Sequence, residues 1–151
     1  MTPAKQILAT ASFSAALITT AALAQPAPPV MGEAKLTTVL TGAAEVPGPG
    51  DPDGRGKATI KIEPRESRIC WDIEVNDIDA ATAAHIHAGM AGTAPPNKVV
   101  LGLSAPTDGD SDGCETAPPG LVDAIRKSPA SYYVNVHNAP YPNGALRGQL
   151  G

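Results

Sequence analysis

Residues 132–151 read YYVNVHNAPYPNGALRGQLG, a pattern that is typical of a β-hairpin. The first arm is rich in β-branched and aromatic residues, the middle is rich in Pro, Asn and Gly, and Asn143-Gly144 is a strong turn signal. Because side chains alternate between the two faces of a strand, Val134 and Val136 can face a core while their neighbours face away from it. The polar face of the predicted hairpin carries Tyr133, Asn135, His137, Arg147 and Gln149.

A second stretch, residues 84–89 (AHIHAG), also places histidine at alternate positions of a predicted strand. His85 and His87 leave the same face, roughly 6.5–7 Å apart at the backbone. The chain has only three histidines, and the third is His137. Since imidazole suits Cu(II) and Zn(II), the three predict a transition-metal site if their strands are neighbours. The alternative is that the rings bind backbone groups at a sheet edge and fix loops there, without a metal.

Three further polar residues are expected near the histidines. Glu45 and Asn135 could orient the imidazole rings as hydrogen-bond partners behind a metal. Arg147 could lie in the same outer layer and bind an anion. Its other expected role is an ion pair with one of three carboxylates, Asp72, Glu74 or Glu45. No Ser-His-Asp, Cys-His or paired-carboxylate arrangement is apparent, so no catalytic residues are predicted.

The N-terminus has the pattern of a cleaved signal peptide. Lys5 is followed by an apolar run without charges, and Ala22-Leu23-Ala24 is a small-x-small cleavage site. We predict a signal peptide over residues 1–24, a Pro-rich linker over residues 25–33 and one β domain over residues 34–151. No membrane span is expected once the signal is removed, and the protein is expected in the periplasm or outside the cell.

The charge balance narrows the class of partner. The chain carries 11 basic and 15 acidic side chains, a formal net charge of −4, and its basic residues form no cluster. This composition argues against nucleic acid and anionic membranes as partners. The expected partner is a metal ion or another extracytoplasmic protein.

The two cysteines, Cys70 and Cys114, fit an exported and oxidising setting, in which an even count usually means a disulfide. Neither has a second cysteine at CxxC spacing, so thiolate ligation of a metal is the weaker alternative. We predict a bridge between Cys70, on the outer face of a strand, and a loop that holds Cys114.

Residues 108–113 (DGDSDG) have the composition of the opening of a calcium loop, with Asp108, Asp110 and Asp112 as the ligands. The EF-hand pattern needs Glu at the twelfth position, and Pro119 is there instead. A solvated acidic turn is therefore the default interpretation, and calcium is not an expected cofactor.

Short alternating segments along the chain indicate the fold class. Arg68–Asn76 and residues 57–63 predict a hairpin, and further strands are expected at residues 35–41, around the His85/His87 pair and at residues 98–103. A long polar loop over residues 104–119 precedes two helical turns over Leu121–Lys127. We predict an all-β fold, an antiparallel β-sandwich or Greek-key-like barrel with one short helical segment. The expected core contains Leu36 or Val39, Ile60, Ile62, Trp71, Ile73, Ile86, Val99, Leu101, Val134 and Val136.

Four separated motifs resemble the chordin-type (CHRD) domain in the same order. They are LTGAAEVP (residues 40–47), AHIHAG (84–89), YVNVH (133–137) and GALRGQL (144–150). The resemblance covers nearly all of the chain after the predicted signal peptide. It departs from the family pattern at Ala145, where an acidic residue is usual. The resemblance implies an extracytoplasmic β-rich domain, in a family that includes growth-factor-binding animal chordins and many bacterial secreted proteins.

The histidine pattern is also, more loosely, similar to copper/zinc superoxide dismutase. That family places an HxH pair and a distant third histidine on the outer face of a β-barrel, with an arginine near the C-terminus. The corresponding positions here are His85, His87, His137 and Arg147. The chain lacks a fourth copper histidine and the histidines of a zinc loop, so the similarity implies shared architecture rather than dismutation.

Two classes of function therefore compete. One is an exported protein that binds Cu or Zn through the three histidines. The other is a metal-free extracellular adhesion or protein-interaction module, as the CHRD resemblance permits. A superoxide-dismutase-like enzyme is a distant third.

Overall fold

A computed structural model describes residues 32–93 and 98–151. The predicted signal peptide, residues 1–24, and most of the predicted linker, residues 25–33, lie outside the described residues. Within the described ranges, no helix is long and apolar enough to cross a membrane.

The described chain forms one eight-stranded antiparallel sheet with the strand order β5-β4-β7-β8-β1-β2-β3-β6. The two edge strands approach each other where Ser111 Oγ donates a hydrogen bond to the Ser104 carbonyl at 2.8 Å, so the sheet is a nearly closed barrel. This confirms the predicted all-β class. The strands are β1 (Ala34–Thr41), β2 (Arg55–Glu63), β3 (Arg68–Asn76), β4 (Ala81–Ala88), β5 (Val99–Leu103), β6 (Asp110–Thr116), β7 (Tyr132–Asn138) and β8 (Leu146–Gln149).

One short helix, α1 (Leu121–Lys127), lies between β6 and β7, as the sequence predicted. Leu121, Val122 and Ile125 form its buried side and pack into the core of the barrel. The helix ends at Lys127 with Ser128 as its C-cap, and Pro129 begins a single 3-10 turn that leads into β7. The Pro cannot donate the hydrogen bond that would continue the helix.

The interior of the barrel is filled by alternate residues of the strands. In β3, Ile69, Trp71, Ile73 and Val75 are buried, while the residues between them are exposed or half-buried. The same alternation buries Ile60 and Ile62 in β2 and Val134 and Val136 in β7. The predicted core is confirmed at these positions, and Leu36 packs against it.

Of the two alternatives Leu36 and Val39, the structure selects Leu36, and the prediction that Val99 is a core residue is wrong. Val39 is 68% exposed because it pairs with Lys57 on the outer face of the sheet. Val99 is 49% exposed because the pairing of β4 with β5 shifts register between Ile86 and His87. That shift places Val99 opposite His87, on the face that points away from the core.

The predicted polar loop over residues 104–119 is also corrected, because it contains strand β6. The composition of β6 (DSDGCET) has low β-propensity, so no strand is predicted there from the residues alone. Pairing with β3 along seven residues holds it in the sheet. Cys114 lies directly opposite Cys70 in this pairing, and the two form the predicted disulfide.

We expect the double replacement Cys70→Ala/Cys114→Ala to lower the free energy of unfolding by roughly 2–4 kcal/mol, because the bridge restricts the unfolded chain. Urea denaturation without reductant measures the difference. As a control, dithiothreitol should move the unfolding midpoint of the wild-type protein towards that of the variant and leave the variant unchanged. Protein isolated from its natural compartment should have a mass about 2 Da below the dithiol value; free thiols there would contradict the bridge.

Candidate metal centre

The two histidine-bearing strands are neighbours in the sheet. β4 pairs antiparallel with β7, with His85 opposite Asn135, His87 opposite Tyr133 and Ala83 opposite His137. Residues directly opposite each other in a sheet have their side chains on the same face. All three histidines therefore lie on one face, while Ile86, Val134 and Val136 point into the core. This confirms the prediction that the two strands meet.

The three imidazole rings form one cluster, which we call the histidine cluster (His85, His87 and His137). The ring centroids are 5.6 Å apart for His85 and His87, 5.2 Å for His85 and His137, and 6.3 Å for His87 and His137. One nitrogen from each ring lies within 4.8 Å of the corresponding nitrogens of the other two. Nitrogens that each bind one ion at about 2.0–2.1 Å cannot be much more than 4 Å apart, so small side-chain adjustments suffice for shared ligation.

Each ring has one buried nitrogen that makes no hydrogen bond to any described residue: His85 Nδ1, His87 Nε2 and His137 Nε2. His137 Nδ1 lies 3.1 Å from the carbonyl oxygen of Pro142. A carbonyl only accepts, so Nδ1 carries the proton and Nε2 has a free lone pair. A backbone carbonyl behind a metal-binding histidine fixes the ring and its tautomer in this way.

The histidine cluster favours neutral imidazoles. Burial lowers the pKa of each ring, and for His87 it does so to about 4, with His85, His137 and Arg147 adding repulsion. At His85 the charge of His137 lowers the pKa further, whereas the Pro142 carbonyl opposes the effect of burial at His137. Neutral rings present lone pairs, which is the form that binds a metal.

The face that carries the cluster is buried farther along β7 and β8. Asn135 is 3% exposed and Arg147 is 2% exposed, although both point away from the barrel core. Residues 89–93 cover this region. Arg147 donates hydrogen bonds from Nη1 to the Thr93 carbonyl at 2.8 Å and from Nη2 to the Met90 carbonyl at 2.9 Å. Gln149 Nε2 donates to the Gly89 carbonyl at 2.9 Å.

Tyr133 links this buried layer to the histidine cluster. Its ring stacks on His87 with a centroid distance of 4.9 Å and an interplanar angle of 8°. The guanidinium carbon of Arg147 lies 3.5 Å from the centroid of the Tyr133 ring. Because the strand order is β4-β7-β8, Tyr133 lies between His87 and Arg147. The stack restrains the orientation of His87.

Glu45 is a buried carboxyl group in the same layer, on the connection between β1 and β2. Its Oε1 accepts a hydrogen bond from Asn135 Nδ2. Desolvation raises the pKa of Glu45 to about 7, against the opposing effects of the Arg147 charge and the Asn135 hydrogen bond. Gly144 leaves the room for this carboxyl, since a Cβ at Gly144 would lie 2.5 Å from its carboxylate atoms. Gly144 is therefore needed both for the turn and for the close approach of the Glu45 carboxyl to the backbone.

Several predicted site residues are placed differently from expectation. Asp72 and Glu74 lie on β3 and are not partners of Arg147, which binds backbone carbonyls and Tyr133 instead. Asp110 and Asp112 extend from strand β6, opposite Glu74 and Asp72, and not from a calcium loop. They do not belong to the group of described side chains that could share one metal ion, which consists of His85, His87 and His137.

Two contributors were missed from the sequence. Pro142 supplies the carbonyl that orients His137, and Gln149 ties β8 to residues 89–93. Alternation did place Gln149 on the polar face, but it could not identify what Gln149 binds. Backbone carbonyls such as that of Pro142 carry no sequence signal.

Comparison with known proteins gives one match. A family model described as CHRD domain matches residues 36–150, which confirms the resemblance seen in the four motifs. No curated protein and no solved structure shows a significant match to the chain.

The raised pKa of Glu45 predicts a pH-dependent effect of Glu45→Gln on the metal-free protein. A carboxyl with a pKa of about 7 when folded and 4.5 when unfolded contributes stability below pH 4.5 that is lost as the pH rises through 7. As the pH rises from 5 to 8, the wild type should therefore lose about 2 kcal/mol of unfolding free energy that Glu45→Gln does not lose. Denaturant unfolding at several pH values measures this gain.

Glu63→Gln is the matched control, because Lys61 and Arg68 lower the pKa of Glu63. The stability that ionised Glu63 contributes is lost only when the pH falls below the unfolded pKa of 4.5. The difference in unfolding free energy between Glu63→Gln and the wild type should therefore stay constant between pH 5 and pH 8. A Glu45→Gln difference that also stays constant would show that Glu45 ionises normally in the folded protein.

Proposed function

We propose that this chain, which belongs to the CHRD domain family, is an exported protein that binds Cu or Zn through His85, His87 and His137. The family model covers most of the chain. Family membership fixes the type of domain, and the histidine cluster supports the specific activity.

The observation that carries the proposal is the set of unpaired imidazole nitrogens. Three buried nitrogens lack a hydrogen-bond partner among the described residues, one on each of the clustered rings. A buried polar atom that loses water without gaining a partner costs about 1–3 kcal/mol. A bound metal ion would give the rings a common partner and offset that cost.

The donor type supports Cu or Zn over other metals. Imidazole nitrogen suits these ions, whereas Ca²⁺ and Mg²⁺ take oxygen ligands. Three nitrogens leave at least one coordination position for water or another molecule. Gly102, directly opposite His85 on β5, has open space where a side chain would be, which leaves the cluster approachable from that side.

Export to the periplasm or the extracellular space is part of the proposal. A disulfide between Cys70 and Cys114 is typical of oxidising compartments. The signal-peptide pattern in residues 1–24 supports the same compartment. The alternative function, a metal-free module that binds another extracytoplasmic protein, rests on the family resemblance alone. A dismutase-like enzyme is not proposed, because the chain has only three histidines.

We expect the metal-free protein to bind one equivalent of Cu(II) or Zn(II), with Cu(II) the tighter by the general affinity order of these ions. His87→Ala and His137→Ala should each weaken binding by roughly 100-fold or more, since each removes one ligand of a three-ligand site. Isothermal titration calorimetry of the three proteins measures both effects.

Asp110→Asn/Asp112→Asn is the matched control, because it removes two potential ligands that lie on a different strand from the cluster. This variant should bind Cu(II) and Zn(II) as the wild type does. Binding that survives both histidine replacements, or that is lost in the aspartate variant, would contradict the proposed site. No binding by the folded wild-type protein would leave the interaction-module alternative.

A further inference from the structure

We infer that the histidine cluster selects monovalent copper over divalent ions, and that the buried guanidinium of Arg147 sets this preference. The inference rests on the proposed function, since it concerns the charge of the ion that the cluster binds. It assigns Arg147 a positioning and electrostatic role through Tyr133, not a role as a ligand.

The donor set itself carries no negative charge. Among the described residues, the side chains close enough to share one metal ion are the three histidines, with no carboxylate or thiolate beside them. The rings are half-buried, so a bound ion would exchange part of its hydration for neutral donors. The free-energy cost of burying an uncompensated ion is much larger for two units of charge than for one. A donor set without a carboxylate or thiolate leaves the second charge of Cu(II) or Zn(II) uncompensated, so a positive charge nearby shifts the relative affinity towards Cu(I).

Arg147 adds a fixed positive charge behind the cluster. A guanidinium stays protonated at any physiological pH. Arg147 is 2% exposed, and two backbone carbonyls hold it in place over Tyr133. The guanidinium carbon lies 3.5 Å from the Tyr133 centroid, which lies 4.9 Å from the His87 centroid, so this charge is at most about 8.4 Å from the centre of the His87 ring. It therefore repels a divalent ion at His87 about twice as strongly as a monovalent one.

Glu45 compensates this charge only in part. No carboxylate of the described residues lies within ion-pair distance of Arg147. Glu45 acts on Arg147 at longer range, and its Oε1 binds Asn135 instead. Arg147 therefore has no carboxylate of the described residues in direct contact, while Tyr133 alone separates it from His87. Glu45 should weaken the preference for Cu(I), and Arg147 should strengthen it.

The first experiment compares the affinities of the metal-free wild-type protein for Cu(I) and Zn(II), by competition with chromophoric chelators at pH 8 without oxygen. We expect tighter binding of Cu(I). Binding of neither ion would overturn the proposed function. Binding of both, with Zn(II) the tighter, would overturn only the inference about Cu(I).

The second experiment measures the ratio of Cu(I) to Zn(II) affinity in two variants of Arg147. Arg147→Gln removes the charge and should lower this ratio by roughly 10- to 30-fold, as expected for one charge at such a distance in an effective dielectric constant of about 20. Arg147→Lys keeps the charge but loses the guanidinium fork, and should hold the ratio within about threefold of the wild type. The ratio of Cu(II) to Zn(II) affinity should not change, because these ions carry equal charge.

These ratios separate an electrostatic role from a structural one. A purely structural role for Arg147 would weaken binding of every ion by a similar factor, leaving the Cu(I)-to-Zn(II) ratio unchanged and overturning the inference. Glu45→Gln provides a test that does not depend on the folding of the Arg147 variants. It removes the opposing charge while keeping the oxygen that accepts from Asn135, and should raise the Cu(I)-to-Zn(II) ratio. A fall in that ratio would also overturn the inference.

Discussion

The pairing of β4 with β7 is the interaction on which the rest of the structure depends. It buries Ile86, Val134 and Val136 in the barrel and, by the same register, gathers the histidines on the opposite face. A slip of one residue would turn the apolar side chains outward and the imidazoles inward. Core packing thus specifies the geometry of the candidate site, and the site needs no separate scaffold.

The outer face of β4, β7 and β8 is a second buried layer of polar character. Arg147 and Gln149 bind the carbonyls of residues 89–93, and Glu45 reaches Asn135 from the connection between β1 and β2. Polar side chains can be buried here because nearly every one has a partner. The nitrogens without partners are concentrated on the histidine rings, at the edge of this layer. The contrast distinguishes a structural network from groups available to a ligand.

Ionisation of the histidines lowers the stability of the fold at low pH, and ionisation of Glu45 lowers it at high pH. Lowered histidine pKa values mean that stability falls as the pH drops from about 6.5 towards the folded value, which is about 4 for His87. The raised pKa of Glu45 means that stability also falls as the pH rises through about 7. Both effects come from desolvation, which disfavours any charge in the layer. Arg147 is held in this layer by two backbone carbonyls and the Tyr133 ring.

The sequence by itself determined which residues share a face, because the period of two along a strand is a local property. It thereby predicted the all-β class, the apolar and polar faces of β7, and the histidines as one chemical group. Tertiary structure decided which strands are neighbours, since pairing between distant segments has no local signature. It also decided the exposure of Val99 through a register shift, the inclusion of weakly β-forming β6 through its pairing with β3, and the partners of Arg147. These features depend on long-range packing and on hydrogen bonds to backbone carbonyls. Every residue has a backbone carbonyl, so the residue types do not show which carbonyl accepts a bond.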